Sequence, residues 1–137
     1  MRFVDTNVLL YAVSTAQEER SKAEAALAIL DDPELILSTQ VLQEFYVQST
    51  RASRPDALRH EHAAALIDSW LRYRVIETST ELVLLALATR ARWGISYWDA
   101  AIVEAARLGG CSTVLSEDLQ SGMDFAGVRV EDPFAGS

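Results

Sequence analysis

Four carboxylates occupy positions that an ordinary solvated surface does not explain. Asp5 lies in "RFVDTNVLLY", between Phe3-Val4 and Val8-Leu9-Leu10, which both read as core. A carboxylate that close to a core is costly unless something pairs with it. Asp99 lies in "ISYWDAAIVEAA". Ile102, Val103 and Ala106 follow it at helical spacing, which puts Asp99 on the apolar face, while Glu104 and Arg107 mark the polar face. Glu44, in "STQVLQEFY", sits at the margin of the stripe Val41, Leu42, Phe45 and Tyr46. Asp118 follows the apolar run "STVLS", with Glu117 directly before it. Each acid alone has a plain structural reading. Asp5 suits a helix N-cap, Asp99 with Ser96 a capping box, Glu44 a wet helix margin and Asp118 a turn.

Together they suggest chemistry. Bare carboxylates brought to ~4 Å repel by about 4 kcal/mol per pair at an effective dielectric near 20. Either some take up protons or a divalent cation neutralises them. An oxygen-only donor set favours Mg²⁺ or Mn²⁺ over Zn²⁺. Such a centre generates hydroxide from water and clamps phosphate oxygens during an in-line displacement.

The elements that must position these acids follow an α/β pattern, with short apolar runs alternating with longer helical ones. "RFVD", "ELILS", "YRVIETS", "STVLS" and "VRVED" read as strands. Thr6-Asn7 offers a cap for the helix from Val8. A second helix runs from about Glu18 to Leu30, and Ser38 or Thr39 caps a third that reaches about Thr50. Asp56 caps a fourth, and Thr78 with Glu81 forms a capping box for a fifth, which Gly94 ends. Ser96 starts a sixth, closed by Gly109-Gly110. In open parallel sheets, ligands bind beyond the carboxyl ends of the strands. Asp5 and Asp118 both fall at that edge.

Composition sets the bounds. The 137 residues match the size of one domain, here 1–137, and 50% are hydrophobic, enough for a real core. No apolar run is long enough to span a membrane, and "MRFVDTN" shows no leader, so the expected place is the cytoplasm. Cys111, the sole cysteine, reads as a small core residue. The net charge of -8 alone argues against a nucleic-acid partner, unless several carboxylates share one metal site. His60-Glu61-His62 looks metal-like, but residues two apart diverge on a helix. Phosphate-binding glycine loops and nucleophile elbows are missing. Trp93, Tyr97 and Trp98 flank the Gly94 turn and suit core or dimer packing, or stacking on a base.

Four stretches in order, "FVDTNVLLY", "STQVLQEFY", "ISYWDAAIVEAA" and "VLSEDLQSGMDF", resemble the PIN-domain family. The likeness is closest to the VapC-type ribonuclease toxins of toxin–antitoxin pairs. The resemblance implies a three-layer PIN-like fold with a short, mostly parallel sheet, and an Mg²⁺-dependent endoribonuclease. It maps the family's acids onto Asp5, Glu44, Asp99 and Asp118, with Asn7 and Ser116 supporting them. It chooses Asp118 over Glu117, with Asp124 as either a fifth acid or a loop residue. It further implies a cognate antitoxin and a homodimer. Arg51 and Arg54, beyond Glu44, are candidate phosphate contacts. A non-catalytic RNA- or protein-binding module on the same fold is the alternative. A phosphoacceptor receiver domain fits less well, because Lys22, the only lysine, lies early. A flap nuclease would need extra elements.

Overall fold

The computed structural model describes residues 1–136. Its centre is a five-stranded sheet of β1 (Arg2–Val4), β2 (Ile36–Ser38), β3 (Arg74–Ile76), β4 (Thr113–Leu115) and β5 (Arg129–Glu131). The spatial order is β3-β2-β1-β4-β5, and every pair is parallel. Phe3 pairs with Ile36 on one side and with Val114 on the other. The sheet interior is apolar: Phe3, Val4, Ile36, Leu37, Val114 and Leu115 are all buried. Three-residue strands suffice because parallel strands covered on both faces need no amphipathic alternation.

Six α-helices flank the sheet: α1 (Thr6–Ala12), α2 (Arg20–Leu30), α3 (Thr39–Ser49), α4 (His60–Trp70), α5 (Thr80–Trp93) and α6 (Tyr97–Leu108). The chain steps one way from β1 to β3 and the other way from β3 to β5. Right-handed crossovers therefore place α1–α4 on one face and α5–α6 on the other. The order reverses at β1, which lies between β2 and β4. A crevice opens at such a switch point. Phe45 of α3 packs edge-to-face on Trp70 of α4, with ring centroids 4.7 Å apart. Trp93 packs likewise on Phe125 at 5.5 Å. Cys111 is buried. No helix among the described residues is long and apolar enough to cross a membrane.

Several local expectations are corrected. Thr6 and Asn7 lie inside α1, and Asp5 is the N-cap. Ser79, not Thr78, caps α5 through its bond from the Leu82 N–H. The Thr78 hydroxyl instead meets Thr39 at 3.1 Å. Asp56 caps nothing: it accepts from the Thr15 N–H and pairs with Arg54, while α4 starts at His60 without a side-chain cap. The α2 helix starts at Arg20, after a 3₁₀ turn over Gln17–Glu19.

Glu104 is the largest departure. It is 2% exposed, so it does not mark a solvated face. Arg107, one turn on, donates to it at 3.0 Å, and the Thr89 hydroxyl of α5 donates at 2.8 Å. Arg107 also donates to the Phe125 and Ala126 carbonyls at 2.6 and 2.8 Å. This cluster ties α6 to α5 and to the loop before β5. Its members satisfy one another, so a carboxylate survives burial. Removing Arg107 leaves that carboxylate unpaired. Arg107→Met is expected to cost about 2 kcal/mol in urea unfolding, below the ~3–5 kcal/mol of a fully buried pair, because the guanidinium is partly exposed. Replacing Glu104 by Leu in the same chain should recover part of the loss.

Candidate metal centre

The four singled-out carboxylates come from four elements and face one cavity of about 70 Å³ at the carboxyl edge of the sheet. Asp5 enters from the end of β1, Glu44 from the middle of α3, Asp99 from the first turn of α6 and Asp118 from the loop after β4. Asn7 lines the same cavity, and Leu10 and Ile102 supply apolar wall. Asp5 is 8% exposed, Glu44 and Asp99 are half-buried, and Asp118 is exposed at the mouth.

One hydroxyl organises the floor. Ser116 is fully buried, and its Oγ donates to Asp5 Oδ2 at 2.8 Å. The same oxygen accepts from the backbone N–H groups of Asp118 and Leu119, at 3.1 and 3.2 Å, so it shapes the loop that carries Asp118. The Asn7 amide spans the gap between α1 and that loop. Its Nδ2 donates to Ser116 Oγ at 3.3 Å and to Asp118 Oδ2 at 3.2 Å, and its Oδ1 accepts from the Glu117 N–H at 3.1 Å. The other Asp5 oxygen accepts from the Thr6 N–H at 2.7 Å, so the capping role and the pocket position coexist. On α3, Gln40 and Thr6 donate to Glu44 at 3.1 and 3.4 Å. The Ser96 hydroxyl accepts from the Asp99 N–H at 3.1 Å, which leaves the Asp99 carboxylate toward the cavity.

Glu117 and Asp118 diverge. Glu117 turns away to Lys22 at 2.5 Å and to the Tyr11 hydroxyl. Burial opposes its charge, yet the bonds from Lys22 and Tyr11 prevail and hold its carboxyl below the usual range. Lys22 thus lies beside the site in space although early in sequence. Tyr11, Lys22 and Gln40 were not singled out by their sequence context. A lone lysine and a polar residue one turn before Glu44 were the only signals available. Arg54 is engaged with Asp56 at 2.9 Å, whereas Arg51 is exposed and forms no ion pair among the described residues. Asp124 accepts from the Gly127 N–H in a turn.

None of the four pocket carboxylates forms an ion pair with Lys, Arg or His among the described residues. Burial pushes the Asp5 carboxyl up to about 6, against the bonds from Ser116 and Thr6, and the charges of Glu44 and Asp118 push the same way. Burial also raises Asp99, again with Asp118 adding to it. As they stand, no three Asp, Glu, His or Cys side chains among the described residues are gathered tightly enough to hold one ion. The donor set itself is all oxygen, which fits a hard divalent cation.

The raised Asp5 carboxyl has a signed consequence. Its ordinary value is 3.8, so between about pH 4 and 6 the unfolded chain ionises while the folded one resists. Stability is lost as pH rises through that window. In EDTA, Asp5→Asn should therefore stabilise the protein by about 1–3 kcal/mol at pH 8 and by almost nothing at pH 4, read by urea unfolding. Equal stabilities at pH 8 would contradict a strained carboxylate.

A family model described as the PIN domain matches residues 2–123. Solved structures share the architecture. Mycobacterium tuberculosis VapC20, a sarcin-ricin loop cleaving toxin, aligns with TM-score 0.68 and 22% identity over 86% of this chain and 92% of that one. A toxin–antitoxin complex from Klebsiella pneumoniae aligns with TM-score 0.71 and 19% identity over 98% of both chains. A DNA-bound VapBC from Salmonella typhimurium gives 0.67 and 18% over 96% and 97%. No curated protein matches the sequence significantly. The family match covers β1 to β4 and all four pocket acids, and the chain belongs to the PIN domain family.

Proposed function

We propose that the protein is an Mg²⁺-dependent endoribonuclease and the toxin of a VapC-type toxin–antitoxin pair. The observation that carries this reading is the cavity in which Asp5, Glu44, Asp99 and Asp118 face one another with no cationic side chain between them. The shared architecture with VapC-type toxins adds to it.

When bound, Mg²⁺, or Mn²⁺ in its place, supplies a Lewis acid that activates water and clamps phosphate oxygens. Asp5 and Asp99 would hold it as principal ligands, and Asp118 would complete the donor set. Glu44, half-buried and held by Gln40 and Thr6, either joins that set or orients the attacking water. Asn7 and Ser116 keep Asp5 and Asp118 in register. Water attacks the RNA phosphodiester in line and the P–O3′ bond breaks, the 3′-oxygen leaving and taking up a proton, so products carry a 5′-phosphate and a 3′-hydroxyl. The ribose 2′-hydroxyl takes no part.

An antitoxin is the natural partner of this pocket. A basic side chain from its tail would meet four carboxylates that lack a counter-charge, which is strong electrostatic complementarity. A homodimer acting in the cytoplasm completes the proposal.

Two measurements test it. Total RNA incubated with protein and Mg²⁺ should yield new 5′-phosphate ends, and EDTA should suppress them. Asp5→Asn and Asp99→Asn should each remove cleavage while leaving the circular dichroism spectrum intact; undiminished cleavage by either folded variant would sink the reading. Ser116→Ala is the graded case, and supporting groups of this kind typically contribute ~10–100-fold. Its cleavage rate at saturating Mg²⁺ should fall by that order, with a weaker apparent Mg²⁺ affinity.

A further inference from the structure

Beside the carboxylate cavity lies a wider hollow of about 310 Å³, which shares Gln40, Glu44, Gln48 and Trp98 with it. One wall is α3, where Gln43 and Val47 recur at helical spacing with Gln48 beside them, and Arg51 lies just past the end of that helix. The facing wall is Trp98, one residue before Asp99.

We propose that this hollow is a nucleobase subsite for single-stranded RNA. The base adjoining the scissile phosphate stacks on the Trp98 indole, the amides of Gln43 and Gln48 read its edge, and Arg51 takes the neighbouring phosphate. The proposal rests on the nuclease reading of the adjoining cavity.

Four observations support it. Trp98 is 65% exposed, whereas Trp70 is 4% exposed. Tyr97 packs against the exposed indole edge-to-face at 5.1 Å, and Gln40 anchors the backbone that carries it by donating to the Trp98 carbonyl at 3.3 Å. An aromatic face left open on an anchored backbone suits stacking, which every base offers. Secondly, the side chains of Gln43, Gln48 and Arg51, and the Trp98 indole N–H, have no hydrogen-bond partner among the described residues, although all face the hollow. An amide presents a donor and an acceptor together, as reading a base edge requires. Thirdly, in a chain of net charge -8, Arg51 forms no ion pair among the described residues and lines the hollow past the end of α3. A bound phosphate has one obvious partner there. Fourthly, the volume lies at the low end for small-ligand pockets, which suits one flat ring system.

The test uses the full chain with Asp5→Asn, so that RNA stays intact, and short oligoribonucleotides of each single base. In Mg²⁺, binding is read by the fluorescence anisotropy of an end-labelled oligoribonucleotide, and in the chain that keeps Trp98 it should also quench indole fluorescence. Adding Trp98→Ala should weaken binding roughly 5- to 150-fold, the range of one lost base stack, and Trp98→Phe should restore most of it. Gln43→Ala should change the preference among the four bases, a readout that a merely structural role would not move. Arg51→Ala should reduce the salt dependence by about one phosphate contact for all four. Equal binding with and without Trp98→Ala overturns the subsite, even if the wild type cleaves RNA. A wild type that cleaves no RNA, with Trp98-dependent binding retained, upholds the subsite and removes the nuclease reading. A Trp98 that responds to a basic peptide and not to RNA also overturns the subsite.

Discussion

The bond from Ser116 Oγ to the buried Asp5 carboxylate is the contact on which the site depends. It joins the ends of β1 and β4, the two strands at the point where the sheet order reverses. An anion at 8% exposure needs donors, and here it has only two, the Ser116 hydroxyl and the Thr6 N–H. That is little hydrogen bonding for a buried charge, and its carboxyl is accordingly displaced upward. The fold thus holds a carboxylate in an environment that suits its charge poorly. Its position is fixed by neutral groups.

Around that bond the surrounding groups divide the labour. Asn7 acts as a two-ended strut between α1 and the loop after β4, with both donor and acceptor used. Lys22 and Tyr11 take Glu117 out of the pocket, so the local anion count stays at four. Gln40 and Thr6 steady Glu44 without neutralising it. Neutral amides and hydroxyls hold the acids, and the one nearby lysine is spent on the acid that faces elsewhere.

Much of this was legible in the sequence. The five strands and six helices follow from alternating apolar runs and turn residues, and Asp5 and Asp118 were assignable to one sheet edge because parallel strands share a direction. What stayed hidden was long-range pairing. Glu104 looked solvated because residue type was the only guide, and its burial depends on Thr89, on another helix. Thr6-Asn7 looked like the cap because small polar residues before a helix ordinarily are. Asp5 took that place, and Asn7 was freed for contacts more than a hundred residues away. Lys22 seemed remote because chain distance is a poor measure of space. The family resemblance ranked Asp118 above Glu117, while the side-chain directions became visible only once α2 was seen beside the β4 loop.

The strand order β3-β2-β1-β4-β5 has a consequence for biosynthesis. Two of the pocket acids, Asp5 and Glu44, belong to the first third of the chain, and Asp99 and Asp118 belong to the last. A ribosome releases the amino terminus first, so a half-made chain carries two separate acids and no cavity. Closure waits until β4 slots in beside β1, so the two pairs of acids meet only once the crossover that carries α5 and α6 has folded back onto the sheet.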